Sequence, residues 1–446
     1  MHTNKHDDID ENVPSRDEEI KRIISNPGMF RMRGEMDPRI LMEAIFSDRV
    51  HPERVLFELL NELMHKAMNK EIPYNMGSAH YTYDILNDIP IAETEKLYKL
   101  TERFESPAYA FTKMLSQKKT NNIEEIVLDM HSRETTLKFN PKQLIVNGKS
   151  TRYAMRDVIK ITTMDKNKHV ALPLPNWHFW ELFDGENEEK KFAFFEASSP
   201  EQLLDGFRKV AKRGNIGSLV LVNPSNPLGY KIDQKLAEEI DVIAQKYGID
   251  IIVDDVLRGV QPIGDRESIG IYFSRPYIVE GFSKRFGDEP IGEVSAYTIL
   301  PKDVSGKKFR SEANIAKKTV VAELMRMAFA YSEKPAIEEL TARNRIFSDR
   351  LLSHDGDIKV YRPSESHLLT VLELPNTYWS KSTDLDDQLM EKGVVISPIE
   401  MYKPDDFQLS ENYKNKFRIT VGRISSCNIA EAADLIGETI RTMKNE

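Results

Sequence analysis

The stretch Ser218–Asp255, SLVLVNPSNPLGYKIDQKLAEEIDVIAQKYGIDIIVDD, decides how the chain folds. It opens on an apolar run, Ser218–Val222, that stops at Asn223-Pro224. Helical periodicity follows over Lys235–Tyr247, and then a second apolar run, Ile249–Val253, ends in Asp254-Asp255. Short apolar runs on either side of a helix read as parallel strands buried on both faces. Outward from this unit the pattern repeats. Tyr277–Glu280 is a further strand ending before Gly281. Upstream, Gln143–Val146 and His169–Pro173 are strands, separated by the turn Asn147-Gly148-Lys149-Ser150 and a helix through Ile161. The expected class is α/β, a mostly parallel sheet sandwiched by helices.

The flanks differ. Pro52–Lys70 carries apolar residues at helical spacing, and Ala92–Leu115 reads as two helical pieces broken near Ser106-Pro107. Beyond residue 310, Glu312–Ser332 and a segment from Pro335 through Ser353 read as helices. Leu368–Leu374, Val394–Ser397 and Phe417–Val421 read as strands, and Asn428–Lys444 closes as a helix with a capping-box spacing to Glu431. The expected organisation is an N-terminal extension with helices over 1–72, a large domain over 73–310 and a smaller α+β domain over 311–446.

Composition narrows the function. The 446 residues are 40% hydrophobic, enough to bury a large core. Lys and Arg number 62 against 71 Asp and Glu, a net charge of −9, which argues against a nucleic-acid partner. A single cysteine, Cys427, excludes an intrachain disulfide framework and any multi-Cys metal site, and the ten histidines show no metal-ligand spacing. No apolar run approaches the roughly 18 residues of a membrane span, and residues 1–20 lack the basic and apolar regions of a secretory signal. A soluble cytoplasmic protein is expected. His80, alone in GSAHYTY, reads as part of a structural loop, with a segment lining the site as the alternative.

Ligands of parallel α/β sheets sit at the carboxyl ends of the strands. Here those ends present Gly148-Lys149-Ser150-Thr151 opening a helix, then Pro173-Leu174-Pro175-Asn176-Trp177, then Asn223–Gly229, then Asp254-Asp255, then Phe282-Ser283-Lys284. A helix N-terminus binds phosphate, and Trp177 offers a ring to stack on, with His178 and Trp180 as rivals. A carboxylate at Asp254 would keep a pyridine nitrogen protonated. The Asn226 amide would meet a phenolic oxygen, and the amine of Lys284 would condense with an aldehyde. Together these describe pyridoxal 5′-phosphate. Each has a plainer reading too: Asp254 and Asp255 as helix caps, Asn226 and Gly148–Thr151 as turn residues, Trp177 as core.

NPSNPLG at 223–229, VDD at 253–255, GFSK at 281–284 and FRIT at 417–420 together resemble the class I/II aminotransferases among the fold-type I pyridoxal-phosphate enzymes. The resemblance runs from about residue 140 to the C-terminus, with Asp254 28 residues after Asn226 and Lys284 a further 30 on. It implies a seven-stranded large domain with a smaller α+β domain, and a homodimer with its sites at the subunit interface. It also implies Lys284 as the Schiff-base lysine, Asp254 on the pyridine nitrogen, Asn226 near the phenolic oxygen, Trp177 as the stacking ring and Arg418 as the clamp on the substrate carboxylate, with Arg423 as fallback. Arg geometry suits that bidentate task.

Three positions depart from the family pattern. Leu257 stands where a Tyr is usual, Gly281 where a Ser or Thr is usual, and Gly292 where a phosphate-binding Arg is usual. Ser283 and Arg285 are the candidates to replace the lost hydroxyl and cation, with Lys149 and Ser150 supplying backbone N–H groups. The expected activity is transfer of an amino group from an amino acid to a 2-oxo acid. The alternatives are elimination, replacement, cyclisation or oxidative deamination from the same carbanion, and, further off, a non-catalytic ligand-binding protein of this fold. No metal, nucleic-acid or membrane partner is expected.

Overall fold

The computed structural model describes residues 74–76, 123–147, 151–163, 167–183, 191–281, 284, 296–306, 334–362, 364, 367–375, 385–422, 424 and 428–445. The helices expected over Pro52–Lys70, Ala92–Leu115 and Glu312–Ser332, with His80, Arg423 and Cys427, lie outside these residues.

The elements in chain order are β1 (Tyr74–Asn75), α1 (Ile123–Glu134), β2 (Leu144–Asn147), α2 (Thr151–Thr162), β3 (His169–Leu174), β4 (Phe192–Glu196), α3 (Pro200–Arg213), β5 (Ile216–Val222), α4 (Gln234–Tyr247), β6 (Asp250–Asp254), β7 (Pro276–Gly281) and β8 (Ala296–Ile299). They continue with α5 (Lys334–His354), β9 (Lys359–Tyr361), β10 (Leu369–Glu373), α6 (Leu385–Glu391), β11 (Val394–Val395), β12 (Ser397–Pro398), β13 (Lys416–Thr420) and α7 (Ile429–Asn445). No helix among the described residues is long and apolar enough to cross a membrane.

The large sheet has seven strands in the order β2-β8-β7-β6-β5-β3-β4. β8 runs antiparallel to both its neighbours, and every other pairing in the sheet is parallel. In β5 and β6 every residue is buried. Side chains alternate across the pleat. Leu219, Leu221, Ile251 and Val253 therefore join the core under α1, α3 and α4, whereas Val220, Val222 and Ile252 join the core under α2. Between these strands, α4 begins where Asp233 accepts from Leu236 N at 2.8 Å and ends at Gly248, left-handed at φ +63°. Both are ordinary helix signals. Its buried stripe is Leu236, Ala237, Ile240, Ile243 and Ala244.

A four-stranded antiparallel sheet, β12-β13-β10-β9, forms a second layer packed on α5 and α7. The expected strand Val394–Ser397 divides at Ile396. Its first half pairs in parallel with β1, and its second half pairs with β13. Met76 is fully buried in this smaller core and bridges it, accepting from Thr420 N and donating to Val395 O at 2.8 Å each. Leu257 and Val260, from the segment after β6, are buried in the same core.

Candidate active site

Five strand ends meet at one edge of the large sheet. β5 and β6 are fastened there by Asn223 N donating to Asp254 O at 3.2 Å. The Asn223–Gly229 loop closes on itself: Ser225 N donates to Tyr230 O, Gly229 N donates to Ser225 O, and Asn223 Oδ1 accepts from Ile232 N at 2.9 Å. Gly229 takes φ +74°, a region that favours glycine. The loop holds the buried Asn226 side chain toward the small sheet, where its Oδ1 accepts from Arg418 Nη1 at 3.1 Å.

Arg418 lies in β13 between Val371 and Ser397 and is itself buried. Its guanidinium sits 4.8 Å from the centre of the Tyr402 ring, a cation–π geometry. Tyr402 O in turn accepts from Asn176 N at 2.9 Å, so the segment after β3 is tied to the small domain beside the arginine. Tyr402 gives no signal in the sequence, because nothing local marks a ring that serves a residue of another strand.

Asp254 ends β6, buried, with Val256 N donating to its Oδ1 at 3.0 Å. Desolvation pushes its carboxyl up to about 7; the Val256 N–H and the Lys284 ammonium pull against that shift, and Glu280 reinforces it. Lys284 is half-buried, in helical conformation, and its charge is felt at Asp254. The structure thus brings together Asp254 with Lys284, and Asn226 with Arg418.

Trp177 is half-buried, edge-on to Phe179, with Arg152 of α2 positioned 5.8 Å from its ring centre. The rival rings form their own group. His178 stacks on Trp180 at 5.1 Å, lies edge-on to Tyr402, and its Nδ1 is 2.5 Å from Glu181 Oε1. Lys149, Ser150, Ser283, Arg285 and Gly292 lie outside the described residues.

Behind Asp254 lies a charge cluster that nothing in the local sequence announces. Asp255 accepts from Ser268 Oγ at 2.5 Å, and burial pushes its carboxyl up to about 7 despite the Arg258 charge. Arg258 donates from Nε and Nη2 to Glu280 Oε2, at 3.0 and 2.5 Å, and from Nη1 to Glu134 Oε2 at 3.0 Å. Arg266 Nη1 donates to Glu134 Oε1 at 2.6 Å. The Tyr297 hydroxyl donates to Glu280 at 2.5 Å and lies 2.6 Å from His131 Nε2. Arg258 and Glu280 therefore fasten the loop after Asp254 to the strand that leads to Lys284. The signal would have been buried charges on distant segments, and burial is not written in local sequence.

The donor set suits pyridoxal phosphate. A buried carboxylate with a raised pKa favours a cationic nitrogen as partner, the amine of Lys284 is near it, and the N-terminus of α2 lies against Gly281.

A model of the family "aminotransferase class I and II" matches residues 74–436. A probable mitochondrial alanine aminotransferase of Dictyostelium discoideum is 24% identical over 163 residues, a match spanning 34% of this chain and 28% of that relative. Among solved structures, the α-aminoadipate aminotransferase LysN of Thermus thermophilus, complexed with N-(5′-phosphopyridoxyl)-L-leucine, superposes with a TM-score of 0.63 at 14% identity, over 85% of this chain and 95% of that one. An archaeal alanine:glyoxylate aminotransferase gives 0.64 at 15% identity, over 91% and 100%. A PLP-bound C–S lyase of Staphylococcus hominis gives 0.62 at 13% identity, over 83% and 93%.

Proposed function

Because the chain belongs to the aminotransferase class I and II family, we propose that it is a pyridoxal-phosphate enzyme moving an amino group from an amino acid to a 2-oxo acid. The observation that carries this is the buried Asp254 beside Lys284, with the Asn226–Arg418 pair contributed across the two sheets. When bound, pyridoxal phosphate supplies an electron sink for negative charge at the substrate Cα.

The protein's own groups do the rest. Asp254 would pair with the pyridine nitrogen of the bound cofactor and keep it protonated. Lys284 anchors the aldehyde carbon. Freed by substrate, its amine would carry the Cα proton as a general base. Arg418 takes the substrate α-carboxylate on its guanidinium edge, while Asn226 Oδ1 and the Tyr402 ring fix the guanidinium plane. Trp177 offers its ring to the flat cofactor. A cytoplasmic homodimer belongs to the same proposal, its dimeric state checked by light scattering of the purified protein.

A second reading has one observation in its favour. Leu257, where a Tyr is usual, is buried in the small-domain core and presents no hydroxyl. Its absence removes a hydrogen-bond donor from the site and leaves room for elimination or replacement chemistry. Product analysis with and without a 2-oxo acid separates the two: acceptor-dependent turnover supports transamination, and acceptor-independent product supports the second. The primary test is the visible spectrum with borohydride reduction. A chromophore that reduction fixes to a Lys284 peptide supports the assignment, and one fixed to another lysine overturns it.

A further inference from the structure

Gly281 ends β7 three residues before Lys284, where it pairs with Ala296 of β8. Its backbone is not in the left-handed region, so conformational freedom is not the reason for a glycine here. Space is the reason. A Cβ at 281 would fall on Thr151 Oγ1 and lie 3.3 Å from Val256 Cγ2. Thr151 is the first residue of the 12-residue helix α2 and is half-buried. Its hydroxyl makes no hydrogen bond among the described residues. Val256 is the residue whose N–H meets Asp254. The hydroxyl of Thr151 thus stands at the positive end of a helix, between the segment that follows Asp254 and the strand that leads to Lys284.

A half-buried hydroxyl held over a glycine at the positive end of a helix suits an anion. We propose that Thr151 donates its hydroxyl to the cofactor phosphate, and that Gly281 lacks a side chain so that this hydroxyl can occupy the space. The hydroxyl expected on β7 is supplied instead from α2, by a residue 130 positions earlier in the chain. This rests on the pyridoxal-phosphate reading above and deepens it. With Oγ1 removed, the nearest remaining atoms to a Cβ at 281 are Val256 Cγ2 at 3.3 Å and Thr151 Cβ at 3.4 Å. A serine at 281 then fits once the Val256 methyl gives by a few tenths of an ångström, and its hydroxyl enters the same space.

The test is equilibrium binding to the cofactor-free full chain, followed by absorbance, with pyridoxal 5′-phosphate and with pyridoxal as probes. A hydrogen bond to a charged group sets the expected size, a weakening of roughly 10- to 100-fold. Thr151→Ala is expected to lose about that factor for pyridoxal phosphate and less than about twofold for pyridoxal. Thr151→Ser is expected to bind like the parent. Gly281→Ser alone is expected to weaken phosphate-dependent binding, because the two side chains collide. The double variant Thr151→Ala/Gly281→Ser is expected to recover most of the loss. Unchanged phosphate affinity in Thr151→Ala, or an equal loss for both probes, overturns the proposal. If the parent chain itself traps no cofactor on reduction, the pyridoxal-phosphate reading fails along with it. If the parent traps it and Thr151→Ala is indistinguishable, only the role of Thr151 falls.

Discussion

On one side of the β6 terminus, Asp255 accepts from Ser268 and feels the charge of Arg258, whose guanidinium is held by Glu280 and Glu134 in a buried cluster with Arg266, Tyr297 and His131. On the other side, one residue earlier in the chain, Asp254 accepts from Val256 N and feels the charge of Lys284. Both carboxyls are buried and both are pushed up to about 7. Depth therefore does not distinguish the acid of the charge cluster from the acid proposed to serve the cofactor. What differs is the company. The first cluster is closed by arginines that the fold supplies. The second meets a single backbone N–H and the charge of an amine, and on the proposed reading it pairs with the cofactor nitrogen.

The largest effect that sharpens this contrast is on turnover. Lys284→Ala should lower kcat by roughly 10³-fold or more, the loss of both anchor and base, with little change in thermal stability. If stability fell as steeply as rate, the two clusters would be one structural unit. Next comes the closed cluster. Arg258→Met leaves Glu280 buried without its guanidinium and should cost about 3–5 kcal/mol in denaturant unfolding. The fraction of folded protein reduced by borohydride onto Lys284 should stay the same. A selective loss of that labelling would move Arg258 to the functional side.

A smaller effect comes from pH. A carboxyl whose folded pKa is raised to about 7 binds more protons folded than unfolded. Stability therefore falls as pH rises from about 4 to 7 and is level above that. Asp254→Asn should remove this cost and stabilise the cofactor-free protein by about 1–3 kcal/mol at pH 8, but not at pH 4, while turnover drops. Asp255→Asn should gain less, because it also gives up the attraction to Arg258. Equal gains in denaturant melts at pH 8 would erase the distinction. The smallest effect is at the opposite wall. Arg418→Lys keeps the charge but loses the planar fork, and should raise the amino-acid KM about 10- to 100-fold with a lesser change in kcat. A kcat loss with unchanged KM would remove Arg418 from carboxylate binding.

Much of the sheet is legible in the sequence because its signals are local. The apolar run at 218–222 lies in β5 and that at 249–253 matches β6 to within one residue, and the helix between them carries its own cap and terminal glycine. β4 and β8 carry no such signal. Phe192–Glu196 is an edge strand with half-buried phenylalanine and alanine positions and a charged end, and Ala296–Ile299 is four residues long and antiparallel. Neither is long or periodic enough to rise above its surroundings. In the site, Asp254, Lys284 and Asn226 stand out as polar residues stranded at the ends of apolar runs. Tyr402, Arg258 and Glu280 do not, because each meets a residue that the sheet order, not the chain order, brings beside it.

The sequence alone determined the alternation of strand and helix, the chemical types at the strand ends and the family to which they point. These depend on periodicity, capping and turn chemistry, which act over a few residues. Only the tertiary structure decided that Arg418 meets Asn226 across 192 positions, that Thr151 fills the space left at Gly281, and that Asp255 meets Ser268 and the Arg258 charge while Asp254 meets Val256 N and the Lys284 charge. Those outcomes depend on which strands lie side by side and which groups are cut off from water. Desolvation and close approach are properties of the packed molecule, and no local stretch of chain encodes them.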